Sequence, residues 1–486
     1  MRSAREAAGG RSEELSPAYL PARIAVLGFA RSGRALAEAL LARGVEVSVG
    51  DRRPEADFEE LEPLRNAGMR FFFGGPSVDF LSDADWLAIS PGVPMQSPSV
   101  QAARVRGIPV LAELEIAWRI AEAEVEGRNR WIAVTGTNGK STTTTWIAEI
   151  LKRAGRPAAL AGNIGAPLSG FLSERTPRDF VCEVSSFQLE AIDAFRPHVA
   201  VLTNITPDHL DRHRDFAEYA AAKERLFRRQ EREDFAVVNA DNPPSLEVPT
   251  SARRVLFSRR GKPPGGGAWI EAGQIRSDVA SPPHDVLLLD RLALHGAHNV
   301  ENALAAVAAA ECLLAPPDAV AVALKTFRGL PHRTELVVDS AGVMWVDDSK
   351  GTNVDATAKS LESYPEQSVL LILGGRDKHG DFAALADLVA RNARVVLTIG
   401  ESAAVIEKAL AGAAPVERAG TMEKAVERAA GLARPGDTVL LSPACASYDQ
   451  YRDFEERGRH FAELARAAAR RAGDGKRKRE NERKEE

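Results

Sequence analysis

The run Gly136-Thr-Asn-Gly-Lys-Ser-Thr142 carries the clearest chemistry in this sequence. Glycines, a lysine and two hydroxyls in that order suit a polyphosphate. Backbone N–H groups of a Gly-rich turn surround the anion. Lys140 adds a point charge for the β- and γ-phosphates, and the Ser141 hydroxyl offers a ligand to Mg2+. The run follows Trp131-Ile-Ala-Val-Thr135, an apolar stretch that reads as a buried strand. After it, Trp146, Ile147, Ile150 and Leu151 recur at helical spacing within residues 143–152. A strand, a turn and a helix N-terminus are the elements that would hold such a nest. Val134 stands where the full G-x-x-x-x-G-K-[ST] pattern has its first glycine, so the loop opens at Gly136 and is shorter.

Further polar clusters follow strands. Glu183 lies near the carboxyl end of a strand expected over 180–184, where α/β sheets place ligands, and its carboxylate suits a Mg2+ shell begun by Ser141. Asn204-Ile-Thr-Pro-Asp-His-Leu-Asp-Arg-His213 follows a strand over 199–203; His209, Asp211 and His213 compete there, and spacing does not choose between them. Lys223 sits on an amphipathic helix and by itself reads as a solvated lysine. Nearer the start, a strand over 23–27 leads to Gly28-Phe-Ala-Arg-Ser-Gly33, a helix over 34–43 and a strand over 45–49 ending at Asp51. An acid about twenty residues beyond such glycines marks a phosphate or ribose site. Ala30 replaces the middle glycine, so the pattern does not name the nucleotide.

At 486 residues, three domains of about 150 residues each are expected. The fold class is α/β. An N-terminal Rossmann-like domain occupies residues 19–124, a central P-loop ATPase-like domain with a mostly parallel sheet 125–329, and a C-terminal Rossmann-like α/β domain 330–470. Residues 111–126 read as a helix leading into the second domain, 259–267 as a flexible excursion, and 300–314 as an Ala-rich helix. Strands over 235–239, 343–346, 369–373, 395–399 and 438–441 complete the sheets. Residues 1–18 read as a frayed extension and 471–486 as a charged disordered tail.

The net charge of −5 gives no basic field for nucleic acid, so anionic substrates must be held by local groups. Cys182, Cys312 and Cys445 are isolated, which argues against disulfides or zinc and points to a reducing cytoplasm. The sequence shows neither a leader-like apolar region in its first twenty residues nor an apolar run of about 18, so secretion and membrane spanning are not expected.

Taken in order, the Gly136 loop, Glu183-Val-Ser-Ser-Phe-Gln-Leu189, Asn204 to His209, Lys223, His298-Asn299, His332-Arg333 and Asp348-Ser-Lys350 resemble the Mur ligase family of ATP-dependent amide-forming enzymes. The resemblance runs from about residue 20 to about residue 470. Asp348-Ser-Lys-Gly-Thr-Asn353, Leu441-Ser-Pro-Ala-Cys-Ala-Ser-Tyr-Asp-Gln450 and Phe454-Glu-Glu-Arg-Gly458 look most like the members that add D-glutamate to UDP-N-acetylmuramoyl-L-alanine.

The resemblance implies a carboxylate phosphorylated by ATP, then attack by an amine on the acyl phosphate. It implies Lys140, Glu183, His209 and Lys223 as the catalytic set, with two Mg2+ ions held by Ser141, Glu183, His209 and Lys223, the last carbamylated by CO2. ATP contacts match Gly136, Thr137, Asn138, Gly139, Lys140, Ser141, Thr142, Asn302, Arg333 and Asp348. The UDP substrate matches Ser32, Asp51, Arg53, Ser90, Gly92, Asn163 and His209, and D-glutamate matches Lys350, Thr352, Lys378, Ser447 and Phe454. It further implies a cytoplasmic monomer whose third domain swings when nucleotide binds. Other Mur ligases and folylpolyglutamate-synthase-like ligases are the nearest alternatives. A nicotinamide oxidoreductase built on Gly28 to Asp51 would leave the Gly136 loop without a task, and a non-catalytic ATP-binding regulator would not need Lys223 and His209 together.

Overall fold

A computed structural model describes residues 20–75, 78–125, 129–210, 212–280, 282–294 and 296–485, with side chains to 471. The expected extension at 1–18 and Asp211 lie outside the described residues. The chain divides into two compact units: residues up to Ile205 with Ala217–Arg291 and Glu301–Thr326, and Thr206–Phe216 with Leu292–Val300 and Phe327–Glu486.

The first unit holds two sheets. In one, β1 (Arg23–Leu27), β2 (Glu46–Gly50), β3 (Arg70–Phe72), β4 (Trp86–Ile89) and β5 (Val110–Ala112) run parallel in the order β3-β2-β1-β4-β5. That is the strand order of a dinucleotide-binding half, with its reversal between β1 and β4 at the end of the Gly28 turn. The other sheet comprises β6 (Arg130–Thr135), β7 (Ala158–Gly162), β8 (Asp179–Glu183), β9 (Val199–Leu202), β10 (Phe235–Asn239), β11 (Arg253–Ser258), β12 (Gly267–Glu271), β13 (Gln274–Ser277) and β14 (His284–Leu288). Its order is β14-β13-β12-β11-β10-β9-β6-β8-β7, parallel from β7 to β12 and antiparallel where β13 and β14 are added. Trp131, Ile132, Ala133 and Val134 of β6 are all fully buried, as a central parallel strand covered on both faces must be.

The second unit is built on β15 (Glu335–Ser340), β16 (Val343–Asp347), β17 (Val369–Gly374), β18 (Ala393–Ile399), β19 (Val416–Gly420) and β20 (Thr438–Leu441), in the order β15-β16-β20-β17-β18-β19. Only β15 is antiparallel to its neighbour. Leu370, Ile372, Leu397, Val439 and Leu441 form one buried layer of this sheet, and Leu371, Leu373, Val396 and Leu440 form the other. The period-2 alternation divides each strand between the two helical layers.

One expectation needs correction. Residues 111–126 are not helical throughout, because Val110–Ala112 pairs with β4 as an edge strand before the helix Glu113–Glu124 begins. Sheet pairing overrides the helical preference of Leu111 and Ala112. The helix Phe454–Glu485 runs into the segment expected as a charged tail, consistent with the helix propensity of Lys, Arg and Glu.

Candidate active site

Glycine geometry builds the phosphate loop. Gly136 has φ +145° and Gly139 φ +82°, backbone that side chains rarely adopt. A Cβ at Gly136 would overlap Thr203 Oγ1, and one at Gly139 would overlap Asn302 Oδ1. Both neighbours press the loop into shape. Thr203 Oγ1 donates to the Asn138 carbonyl at 2.6 Å. The Asn204 side chain accepts the Asn138 N–H at 3.0 Å and donates to its carbonyl at 3.1 Å. The helix Lys140–Arg153 starts directly after Gly139, an N-cap that carries no capping side chain. Thr142 Oγ1 is buried with no hydrogen-bond partner among the described residues. An uncapped helix start after a nest of glycines, with an orphaned hydroxyl beside it, fits a bound polyphosphate. Lys140 Nζ donates to the Thr137 carbonyl at 2.7 Å, so its charge stays at the loop.

Lys223 is not the solvated lysine its helical setting suggests. It is 1% exposed. Its Nζ donates to the Gly136 carbonyl at 2.7 Å and lies 4.4 Å from the Tyr219 ring centroid. Tyr219 in turn donates from its hydroxyl to Thr137 Oγ1 at 3.1 Å. The helix Phe216–Glu224 therefore delivers an amine to the first residue of the loop. On the adjoining strand, register pairs Glu183 with Val134, so β8 sets a buried carboxylate beside the end of β6. Glu183 Oε1 accepts from Asn163 Nδ2 at 2.8 Å. Ser141 and Glu183 are both buried hard oxygen donors, the chemistry that Mg2+ prefers.

In the first sheet, Asp51 accepts the backbone N–H of Phe29 at 2.7 Å and of Arg53 at 2.9 Å, and pairs with the Arg53 guanidinium at 3.1 Å. Burial acts to raise its pKa, but the Arg53 and backbone bonds prevail and hold the carboxyl below its usual range. Ser90 Oγ donates to the Gly28 carbonyl at 2.8 Å, and Gly33 comes so close to both that no Cβ fits. Ser32 lies in the first turn of the helix Arg31–Leu41, and Gly92 is exposed in the turn after β4. An aromatic group missed in the sequence adjoins this site: Phe29, Phe58, Phe71 and Phe73 pack ring on ring, with the Arg53 guanidinium 4.3 Å from the Phe58 centroid. The run Phe71-Phe-Phe73 was its only sequence signal.

The second unit gathers charge. Lys378 Nζ meets Asp208 Oδ1 at 2.8 Å, and Asn353 Nδ2 donates to Asp208 Oδ2 at 2.8 Å. Burial works to raise the Asp208 pKa, but Lys378, His209 and Asn353 together bring it down to about 2. His209, at φ +55°, has its Nε2 3.6 Å from Asp208 Oδ2. His213 is also buried, its N–H donating to the His209 carbonyl at 2.9 Å. Asp208 and Asn353 stood inside quoted motifs but were not singled out, because nothing in their spacing shows which side chain they meet. Lys350 Nζ lies 3.9 Å from the Phe454 centroid, and Thr352 N–H donates to the Lys350 carbonyl at 2.8 Å. Ser447 is buried. Asp348 accepts from Ser442 Oγ at 2.8 Å; its burial raises the pKa to about 6, a rise that Ser442 and Arg333 moderate.

This chain matches family models along most of its length: a Mur ligase MurD-like N-terminal domain over residues 22–112, a Mur ligase middle domain over 134–310, and a Mur ligase glutamate ligase domain over 332–445. A curated relative from Pelotomaculum thermopropionicum, named UDP-N-acetylmuramoylalanine--D-glutamate ligase, is 44% identical over 91% of this chain and 97% of its own. The chain belongs to the Mur ligase family. A second relative of the same name, from Koribacter versatilis, is 42% identical over 92% of this chain and 98% of its own. Two solved structures share the Mur ligase fold. UDP-N-acetylmuramate-alanine ligase from Thermotoga maritima has TM-score 0.56 at 21% identity, covering 92% of this chain and 99% of that one. A pseudomurein peptide ligase type C from Methanothermus fervidus has TM-score 0.56 at 21% identity, covering 87% and 96%. As a Mur ligase the protein is an ATP-dependent, amide-bond-forming enzyme of peptidoglycan precursor synthesis. Among the described residues, no helix is long and apolar enough to cross a membrane.

Within this Mur ligase the first unit brings together the Gly136 to Thr142 loop, Lys223 and Asn302, and separately Glu183 with Asn163 and Asp51 with Arg53. The second unit brings His209 to Lys378 through Asp208, and Arg333 to Asp348. Thr203, Asn204, Tyr219, Asp208 and Asn353 are polar residues that sequence reasoning left unassigned.

Proposed function

We propose that this enzyme joins D-glutamate to UDP-N-acetylmuramoyl-L-alanine, with ATP converted to ADP and phosphate. The observation that carries the ligase chemistry is the glycine nest at Gly136 and Gly139 with Lys140 and Lys223 bonded to its carbonyls. The choice of amino acid is supported by the names of the relatives and by the cations Lys350 and Lys378, which suit a dicarboxylate.

Residues 136–142 and Asn302 hold the ATP phosphates, and backbone N–H groups with Lys140 stabilise charge moving onto the β/γ bridge. Arg333 and Asp348 also serve the nucleotide. The terminal alanyl carboxylate takes the γ-phosphoryl group; the amine of D-glutamate then attacks the acyl carbon, and phosphate leaves. Ser141, Glu183, His209 and Lys223 as its carbamate are the residues that would hold Mg2+, which supplies charge neutralisation at the phosphoryl oxygens when bound. Ser32, Asp51, Arg53, Ser90, Gly92, Asn163 and His209 bind the sugar nucleotide, and Lys350, Thr352, Lys378, Ser447 and Phe454 bind D-glutamate. The enzyme acts as a cytoplasmic monomer, with domain boundaries near residues 124 and 329.

The test is phosphate release from ATP with UDP-N-acetylmuramoyl-L-alanine and each of D-glutamate, L-glutamate and neutral amino acids. D-glutamate should stimulate release most; no stimulation by D-glutamate in folded, Mg2+-supplied enzyme would rule the reading out. For the carbamate, Lys223→Ala should lose activity and regain part of it with a short-chain carboxylate, whereas full activity of the unrescued variant would dismiss it.

A further inference from the structure

His332 immediately precedes Arg333 and has no task in the reading above. Its backbone is left-handed, with φ +62°, a conformation uncommon outside glycine that persists where surroundings hold it. Three bonds to three segments do so. The imidazole Nδ1 lies 2.7 Å from Asp347 Oδ2, at the end of β16. The backbone N–H donates to Glu335 Oε2 at 2.9 Å. The carbonyl accepts the backbone N–H of Lys350 at 3.0 Å. Asp347 is fully buried, and its other oxygen accepts the Ser349 N–H at 2.9 Å. The helix Phe454–Glu485 packs onto the pair through Gly458, where a Cβ would stand 2.7 Å from Asp347 Oδ2 and closer still to His332 Nδ1.

His332, Glu335 and Asp347 offer ligand atoms within 4.8 Å of one another, which raises the question of a metal. A separation of 2.7 Å between Nδ1 and Oδ2 answers it. Ligands of a tetrahedral ion at about 2.0 Å stand roughly 3.3 Å apart, whereas 2.7 Å is a charge-assisted hydrogen bond. The cluster shares a proton.

We infer that His332, through its bond to Asp347, is a positioning residue for both ligands of the second unit, fixing the adjoining Arg333 for nucleotide and the Lys350 backbone for the amino acid. This rests on the roles proposed above for Arg333 and Lys350. The groups facing the imidazole are Asp347 from β16, Glu335 from β15 and Glu455 from the packed helix. All are acidic; the Asp347 bond foremost lifts the His332 pKa above its ordinary value, while burial opposes it. The imidazolium charge, and with it the stronger form of the tether, is present at lower pH and lost as pH rises through that raised value.

The experiment is steady-state kinetics on the full chain carrying His332→Gly, His332→Asn or Gly458→Ala. Glycine accepts the left-handed backbone, so His332→Gly removes the side chain without adding strain. It should raise KM for ATP and for the amino acid by roughly tenfold or more, the worth of a charged hydrogen bond, and leave KM for the sugar nucleotide unchanged. His332→Asn tolerates the backbone and keeps a donor, so it should recover part of the loss. Gly458→Ala leaves every polar group in place and should reproduce the split by prising the pair apart. In the unmodified enzyme KM for ATP should climb on the alkaline side, a limb absent from His332→Gly. Unchanged KM values in both His332→Gly and Gly458→Ala, or an equal rise for all three substrates, would overturn the inference. If an amino acid other than D-glutamate proves to be the substrate, the same ratios are read with that amino acid, so the two failures remain distinguishable.

Discussion

The phosphate loop of the first unit and the charged cluster around Asp208 in the second treat anions in opposite ways. The loop presents backbone, moulded by two glycines against Thr203 and Asn302, with lysine ammonium groups bonded to its carbonyls. The cluster presents side chains, Lys378 and Asn353 being held ready by a buried aspartate. A backbone nest tolerates almost no change of shape, because a methyl group at Gly136 or Gly139 meets main chain or packed side chain. A side-chain cluster tolerates shape changes but not loss of charge balance, since removing one partner leaves the other buried and unpaired. Phosphoryl transfer needs fixed dipoles around a moving charge, and recognition of an amino acid needs charge that can be matched and released. Each region has the construction that its proposed task requires.

Gly139→Ala should show the largest effect. The new methyl overlaps Asn302 Oδ1 at a backbone of φ +82°, so kcat/KM for ATP should fall about a thousandfold while the melting midpoint changes little. Measured ATP turnover near that of the unmodified enzyme would mean that the loop is not shaped for phosphate. Next in size, Lys378→Met should leave Asp208 buried without its cation and cost about 3 kcal/mol in urea denaturation at neutral pH. The acid limb sharpens this. Asp208 sits at about 2 in the folded enzyme against an ordinary 3.8, so its contribution is present above 3.8 and lost as pH falls towards 2. Lys378→Met should flatten that limb, and an unchanged acid profile would show the pair to be energetically idle. The smallest effect belongs to Asn204→Ala, which removes two bonds to Asn138 but leaves Thr203 in place. About 1 kcal/mol per bond predicts a KM for ATP raised roughly ten- to thirtyfold by isothermal titration or kinetics. An effect as large as that of Gly139→Ala would contradict the division between moulding glycines and supporting side chains.

The same contrast explains what could be read from the chain. The phosphate loop is contiguous, and its glycines announce the turn and the helix start that follow, so the geometry of residues 136–142 was legible without a structure. Central strands such as β6 and β17 were equally plain, because residues buried on both faces form unbroken apolar runs. Short or charged strands were not. β3 and β5 have three residues each, and β11 carries arginines on its exposed positions, so neither period nor hydrophobicity marks them. Lys223 shows the limit most sharply. Its local pattern describes a surface lysine; only long-range packing against Gly136, 87 positions earlier, buries it. Asp208 escaped for the same reason, its partners lying 145 and 170 positions further on.

The proposed chemistry turns on an acyl phosphate formed from the sugar nucleotide's carboxylate. The most direct measurement uses UDP-N-acetylmuramoyl-L-alanine with both oxygens of that carboxylate labelled with oxygen-18, followed by mass spectrometry of the released phosphate and the amide product. One labelled oxygen should leave with phosphate and one remain in the new amide carbonyl. Phosphate carrying no label, formed together with the amide, would contradict the mechanism.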